Sequence, residues 1–205
     1  SQTDEWKWDR NSKYSLGEYI WTGFDYIGEP QPFDSGANSA KSSYYGSVDT
    51  AGFPKAEFYM LKSQWVSPEV EPFVKIVNHI NVDDNNLRNA ISLDGGNTIQ
   101  LWVSSNMKSV ELAIVDDDGT EKVVERRDWK QVNVTDSSIG GTNPYMTTQE
   151  PEGNPSDYTD KLYQIFTLNW SEVKGKKVIA RAYDQSTEEA EAAGDDKRAA
   201  ICSDT

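Results

Sequence analysis

Among the carboxylates in the first part of the chain, Glu18, Asp25 and Glu29 stand within a row of aromatic rings, Tyr19, Trp21, Phe24, Tyr26, Tyr44 and Tyr45. Carboxylates carry protons or accept hydrogen bonds. Indole and phenol rings offer a flat apolar face with a polar tip. Trp21 and Asp25 are four residues apart, so strand alternation puts them on one face. Tyr44 and Tyr45 close the loop that follows.

The elements that must hold these residues can be read from periodicity. Residues 5–16 (EWKWDRNSKYSL) end at Gly17 and suit a helix stopped by glycine. Residues 18–24 (EYIWTGF) are mostly apolar and of strand length, as in a parallel sheet covered on both faces. Residues 28–41 contain Pro30, Pro32 and Gly36, which predicts a long loop of the kind that carries function. Gly52-Phe53-Pro54 then predicts a helix with proline in its first turn, and Phe58, Leu61 and Trp65 share one face of it. Strand, long loop and helix make the βα unit of an α/β barrel, whose active-site loops follow its strands.

From about Pro68 the pattern changes to short β-type runs: 73–80 (FVKIVNHI), 98–103 (TIQLWV), 110–115 (VELAIV), 121–124 (EKVV), 162–168 (LYQIFTL) and 177–183 (KVIARAY). The Asp116-Asp117-Asp118-Gly119 turn predicts a hairpin between the third and fourth. Such spacing predicts an antiparallel sandwich of immunoglobulin-like type, here without the Cys…Trp…Cys pattern of antibody domains. Residues 136–160 are predicted as a long, mobile inter-strand excursion. Residues 186–205 are charged and Ala-rich, a polar tail with little to bury.

Bulk properties exclude several classes. Against 20 basic residues stand 34 acidic ones, a net charge of −14, so phosphate backbones and anionic membrane surfaces are repelled and nucleic acid is not a partner. No apolar run approaches the roughly 18–20 residues of a membrane span, and no basic-then-apolar start reads as a signal peptide. The 7 Trp, 10 Tyr and 6 Phe are too many for a disordered chain. Cys202 alone rules out an internal disulfide framework. His79 has no ligand partner in its strand pattern, and the Asp116–Asp118 run lacks the later acid that would close a calcium loop.

Residues 17–30 (GEYIWTGFDYIGEP) resemble the eighth barrel strand of family-two glycoside hydrolases, bacterial β-galactosidases in particular. The likeness continues in register through Ser42-Ser43-Tyr44-Tyr45-Gly46, Asp49, Ala51-Gly52-Phe53-Pro54-Lys55 and Ser63-Gln64-Trp65. The later runs resemble the accessory sandwich that follows the barrel, through Asn106, Ser109–Leu112 and Ala180–Asp184.

The resemblance implies retaining hydrolysis of a β-galactoside by two glutamates about 5–5.5 Å apart. Both belong on earlier barrel strands. Neither Glu18 nor Glu29 matches them, so no catalytic residue is assigned here. Trp21 matches the tryptophan that walls the galactose subsite, where an indole face complements the C–H face of a sugar. Asp25 bonds a sugar hydroxyl, orients a neighbouring loop or pairs with an arginine elsewhere in the barrel, and Tyr44 and Tyr45 are placed at the pocket mouth. The whole enzyme is expected to use magnesium or sodium, with no metal or cofactor site in this stretch. In some relatives a loop asparagine binds a monovalent cation, and the aligned residue here is Tyr45.

The expectation is therefore a mainly β chain: an immunoglobulin-like β-sandwich preceded by the last βα unit of a (β/α)8 barrel, divided at 1–66, 67–185 and 186–205. The expected partners are a β-galactoside and either the rest of the barrel or a second copy covering the 18–24 strand. A bacterial origin and a secreted or cell-surface location are favoured over the cytoplasm. The alternatives are a β-glucuronidase or β-mannosidase parent, or a non-catalytic carbohydrate-binding or structural module, for which Trp102 and Trp129 could form a face if they are not core. The sequons at Asn133 and Asn169 carry no meaning in a bacterial protein.

Overall fold

Alternating apolar side chains on two antiparallel sheets close around one core in the computed structural model, which describes residues 9, 14–28, 42–77, 98–136, 141–147, 162–194 and 200–205. In chain order the strands are β1 (Tyr26–Ile27), β2 (Ser42–Ser43), β3 (Val74–Ile76), β4 (Thr98–Ser105), β5 (Ser109–Val115) and β6 (Glu121–Asp128). They continue with β7 (Lys130–Asp136), β8 (Gly141–Thr147), β9 (Gln164–Asn169), β10 (Lys177–Tyr183) and β11 (Cys202–Asp204). The helices are α1 (Ala56–Trp65), α2 (Trp170–Val173) and α3 (Thr187–Ala193).

A four-stranded sheet in the order β11-β10-β5-β6 faces a three-stranded sheet in the order β3-β4-β9. Every pairing in them is antiparallel. The molecule is thus mainly β, a two-sheet sandwich, as its spacing of short runs implies. Ile99, Leu101 and Val103 of β4 point inward with Phe166 and Leu168 of β9. Opposite them lie Val110, Leu112 and Ile114 of β5 and Val178, Ala180 and Ala182 of β10. Register supports this: Leu101 pairs with Phe166, and Leu112 with Ala180. Truncating a fully buried leucine such as Leu101 to alanine costs about 2–5 kcal/mol.

The outer face of the three-stranded sheet is also covered. Met60 and Leu61 of α1 pack with Leu162 and Tyr163, and Val77, Trp102 and Ile165 close around them. The Ser104 hydroxyl donates to the Tyr59 carbonyl at 2.9 Å, and the Tyr163 hydroxyl to the Ala56 carbonyl at 3.1 Å. Burial and the nearby Glu57 charge push the Tyr163 phenol well above its ordinary range. Asn106 fastens the connection between α1 and β3. Its amide nitrogen donates to the Val66 and Glu71 carbonyls, both at 2.9 Å, and its oxygen accepts the Phe73 amide at 3.0 Å.

Several expectations need correction. Residues 18–24 do not form a regular strand; only Phe24 bridges, in parallel, to Val48. Pro54 precedes the helix, whose N-cap is Lys55. Trp65 is exposed, because α1 buries Met60, Leu61 and Ser63. Within 136–160, residues 141–147 form β8, paired along its length with β7. The chain after Gln185 is more than a polar tail. It forms α3, capped by Ser186 and Glu189, and β11, which extends the four-stranded sheet. The helix expected over 5–16 lies largely outside the described residues, as does His79. Among the described residues no helix is long and apolar enough to cross a membrane.

Candidate functional site

The backbone that carries the aromatic row is built from two short stretches side by side. The Thr22 amide donates to the Tyr45 carbonyl at 3.2 Å, and the Ser47 amide to the Thr22 carbonyl at 3.0 Å. Val48 donates to Gly23 at 3.0 Å, and Asp25 to Val48 at 2.8 Å. Residues 22–25 thus run parallel to 45–48. The Trp21–Thr22 peptide bond is cis.

Asp49 shapes the turn into the helix: its Oδ1 accepts the Ala51 and Phe53 amides, both at 2.8 Å. The Lys55 amide then donates to the Ser47 carbonyl at 2.8 Å. Gly46 has no alternative at this crossing. A Cβ there would overlap the Asp25 amide nitrogen and the Phe24 carbonyl carbon, and would come within 2.6 Å of the Val48 carbonyl oxygen.

Of the residues singled out in the sequence, Trp21 is 69% exposed; its indole nitrogen donates to the Tyr26 hydroxyl at 3.3 Å, with the two rings edge-to-face. Tyr44 and Tyr45 are 64% and 44% exposed. The polar contacts bring Tyr45 to Thr22, beside Trp21. Asp25 is different, because its side chain is almost wholly buried. Its Oδ1 accepts the Gly46 amide at 2.7 Å and the Lys55 ammonium at 2.8 Å. The Lys55 ammonium also donates to the Tyr44 carbonyl at 3.0 Å.

Lys55 was not legible as a site residue. Its only signal was its place at the end of Gly52-Phe53-Pro54-Lys55. Ser43 and Ser47, in the stretch before it, are buried, and among the described residues their hydroxyls have no hydrogen-bond partner.

The position aligned with a cation-binding asparagine fits such an ion poorly. The Tyr45 carbonyl is taken by the Thr22 amide, whereas hard cations need several converging oxygens. Among the described residues no cluster of three or more His, Cys, Asp or Glu could hold a metal. The Asp116–Gly119 run is a hairpin turn closed by the Asp116 and Gly119 amides, and Asp116 pairs with Lys176 at 2.7 Å. Trp129 lies in the sandwich core, and Trp102 packs against Tyr163 under α1, the rings tilted by 46° with centroids 5.3 Å apart.

No protein-family model matches the chain. A stretch of 126 residues is 35% identical to the β-galactosidase BoGH2A of Bacteroides ovatus, covering 61% of this chain and 12% of that protein. A stretch of 107 residues is 30% identical to a putative β-glucuronidase of Formosa agariphila, covering 52% of this chain and 9% of that one. Among solved structures, apo β-glucuronidase 3 of Bacteroides uniformis aligns at 19% identity with a TM-score of 0.35, over 71% of this chain and 14% of that chain. The chain therefore spans about an eighth or less of the curated relatives it matches. These relatives are glycoside hydrolases of the family-two type, and the likeness is to a portion of them. Galactosidase and glucuronidase names both occur among them.

Proposed function

We propose that this chain is the part of a bacterial, retaining β-galactosidase in which the end of the catalytic barrel meets an accessory sandwich. Trp21 forms one wall of the galactose subsite, and Tyr44 and Tyr45 shape its mouth. An indole face against the C–H face of the sugar fixes the ring relative to the reacting carboxyl groups, and such placement supplies much of a rate enhancement. The two glutamates that protonate the leaving group and attack the anomeric carbon belong to polypeptide outside these residues, so this chain alone has no hydrolytic pair.

The observation that carries this reading is where apolar surface is left uncovered. Apart from Val70, Val123 and Ile201, every large exposed apolar side chain among the described residues lies between Tyr14 and Trp65. Leu16, Tyr19, Trp21, Phe24 and Ile27 form one run of it. A concentration of that kind marks a surface meant to be covered, here by the rest of the barrel and by a sugar.

The test compares two polypeptides. The whole protein containing these residues should hydrolyse para-nitrophenyl β-galactoside, with kcat/KM falling about 100-fold in Trp21→Ala. The 205-residue chain should do neither that nor bind galactose saturably in a tryptophan-fluorescence titration. Turnover by the chain alone overturns the proposal, and saturable binding marks an autonomous carbohydrate-binding module instead. Because one relative is named a putative β-glucuronidase, the matching glucuronide is assayed in parallel. Preference for it moves the parent to that class.

A further inference from the structure

Trp21 and Tyr44 are mostly exposed, and Tyr45 is 44% exposed. What fixes the backbone beneath them is polar, and it converges on two side chains. Lys55 is the N-cap residue of α1, a helix anchored on the sandwich through Met60 and Leu61. Its ammonium holds the Tyr44 carbonyl and Asp25 Oδ1, while its amide holds the Ser47 carbonyl. Asp25 Oδ1 in turn holds the Gly46 amide. Tyr44, Gly46 and Ser47 are thereby tied to the helix on both sides of Tyr45, and Tyr45 is tied to Thr22, next to Trp21.

We infer that Asp25 and Lys55 are a positioning pair, which sets the Tyr44–Tyr45 rim against the Trp21 wall and links that wall to the sandwich through α1. The inference rests on the reading above that these rings face a sugar. It assigns Asp25 to the support of the pocket, since the oxygen that points at this crossing is already taken by two donors, one of them charged. It also gives the sandwich a role in the pocket, because the ammonium that aligns the rim belongs to the residue that starts the docked helix.

The experiment labels the chain with fluorotryptophan and follows the Trp21 line by fluorine NMR, assigned through Trp21→Phe. In Lys55→Met the Trp21 line should shift or broaden, while those of Trp129 and Trp170 stay where they are. Lys55→Arg, which still donates twice, should keep the Trp21 line near its original position. Asp25→Asn keeps an acceptor and should disturb that line less than Asp25→Ala, so the ordering survives even if Lys55→Met unfolds. An unchanged Trp21 line in folded Lys55→Met overturns the inference, as does equal damage by Asn and Ala.

In the whole protein, Lys55→Met should lower kcat/KM toward the galactoside about 100-fold with the pH profile unmoved. Loss of one limb of that profile in Asp25→Asn would make Asp25 a proton carrier and overturn the inference. A whole protein that is inert toward glycosides defeats the sugar reading alone, and the NMR outcome still decides the pair.

Discussion

The Asp204 carboxylate accepts the Ile76 amide at 2.8 Å and, from the neighbouring residue, the Lys75 ammonium at 3.0 Å. The two residues lie 128 positions apart in sequence. Ile76 is in β3, an edge of one sheet, and Asp204 is in β11, an edge of the other. One side chain thus joins the sheets at their rim and occupies an amide that an edge strand would otherwise present to other chains.

Asp204→Ala should lower stability by about 1.5–3 kcal/mol, the range for losing a hydrogen bond to a charged group. Urea unfolding with an unchanged slope is the check, since a changed slope would mean that β11 no longer folds.

Asn106 supports three backbone groups from a buried position. Asn106→Ala leaves the Phe73 amide and two carbonyls without this partner, and should cost about 3 kcal/mol. Asn106→Asp should be as damaging, because a carboxylate offers no donors to the Val66 and Glu71 carbonyls. Thermal melts of the three proteins decide this.

Gly46→Ala should free the 22–25 and 45–48 stretches from each other, because the obstructing atoms are backbone and have no rotamer to change. The expected cost is about 1–3 kcal/mol or more. Gly23→Ala is the control, as nothing stands where its Cβ would go. Amide hydrogen exchange should rise at Val48 and Asp25 in the first variant and stay level in the second.

Glu189 links α3 to the sheet in a pH-dependent way. Its hydrogen bonds from the Lys108 ammonium, and then from the Ser186 backbone, hold its carboxyl below the ordinary value. The folded pKa is the depressed one, so this stabilisation is fully present above the unfolded value of about 4.3 and is lost as pH falls through the folded value. Stability measured between pH 6 and pH 3, on the order of that window, should fall less steeply for Glu189→Gln than for the parent chain.

The main strands of the sandwich were legible because core residues recur at every second position, as Val110, Leu112 and Ile114 do in 110–115 and Val178, Ala180 and Ala182 in 177–183. The Asp-Gly hairpin was legible because φ of Gly119 is 84°, a conformation most other residues avoid. The 18–24 run misled, since it lacks a sheet here: Tyr19, Trp21 and Phe24 stand exposed, and only Ile20 packs inward, against the cluster under α1. Residues 202–204 misled in the other direction. Their strand depends on the edge of β10, with Ala182 opposite Cys202, and no local pattern announces a partner so close to the chain's end.

By itself, the sequence determined the mainly β character, most strands of the sandwich and the gathering of aromatic residues in the first part of the chain. Local periodicity and turn chemistry are properties of neighbouring residues, and they survive without knowledge of the fold. Only the tertiary structure decided that Asp25 reaches across 21 positions to Gly46 and 30 to Lys55, that α1 lies on the sandwich, and that Asp204 closes its rim. Those contacts join residues far apart in the chain. They become visible only when burial forces each carboxylate and amide to find a partner.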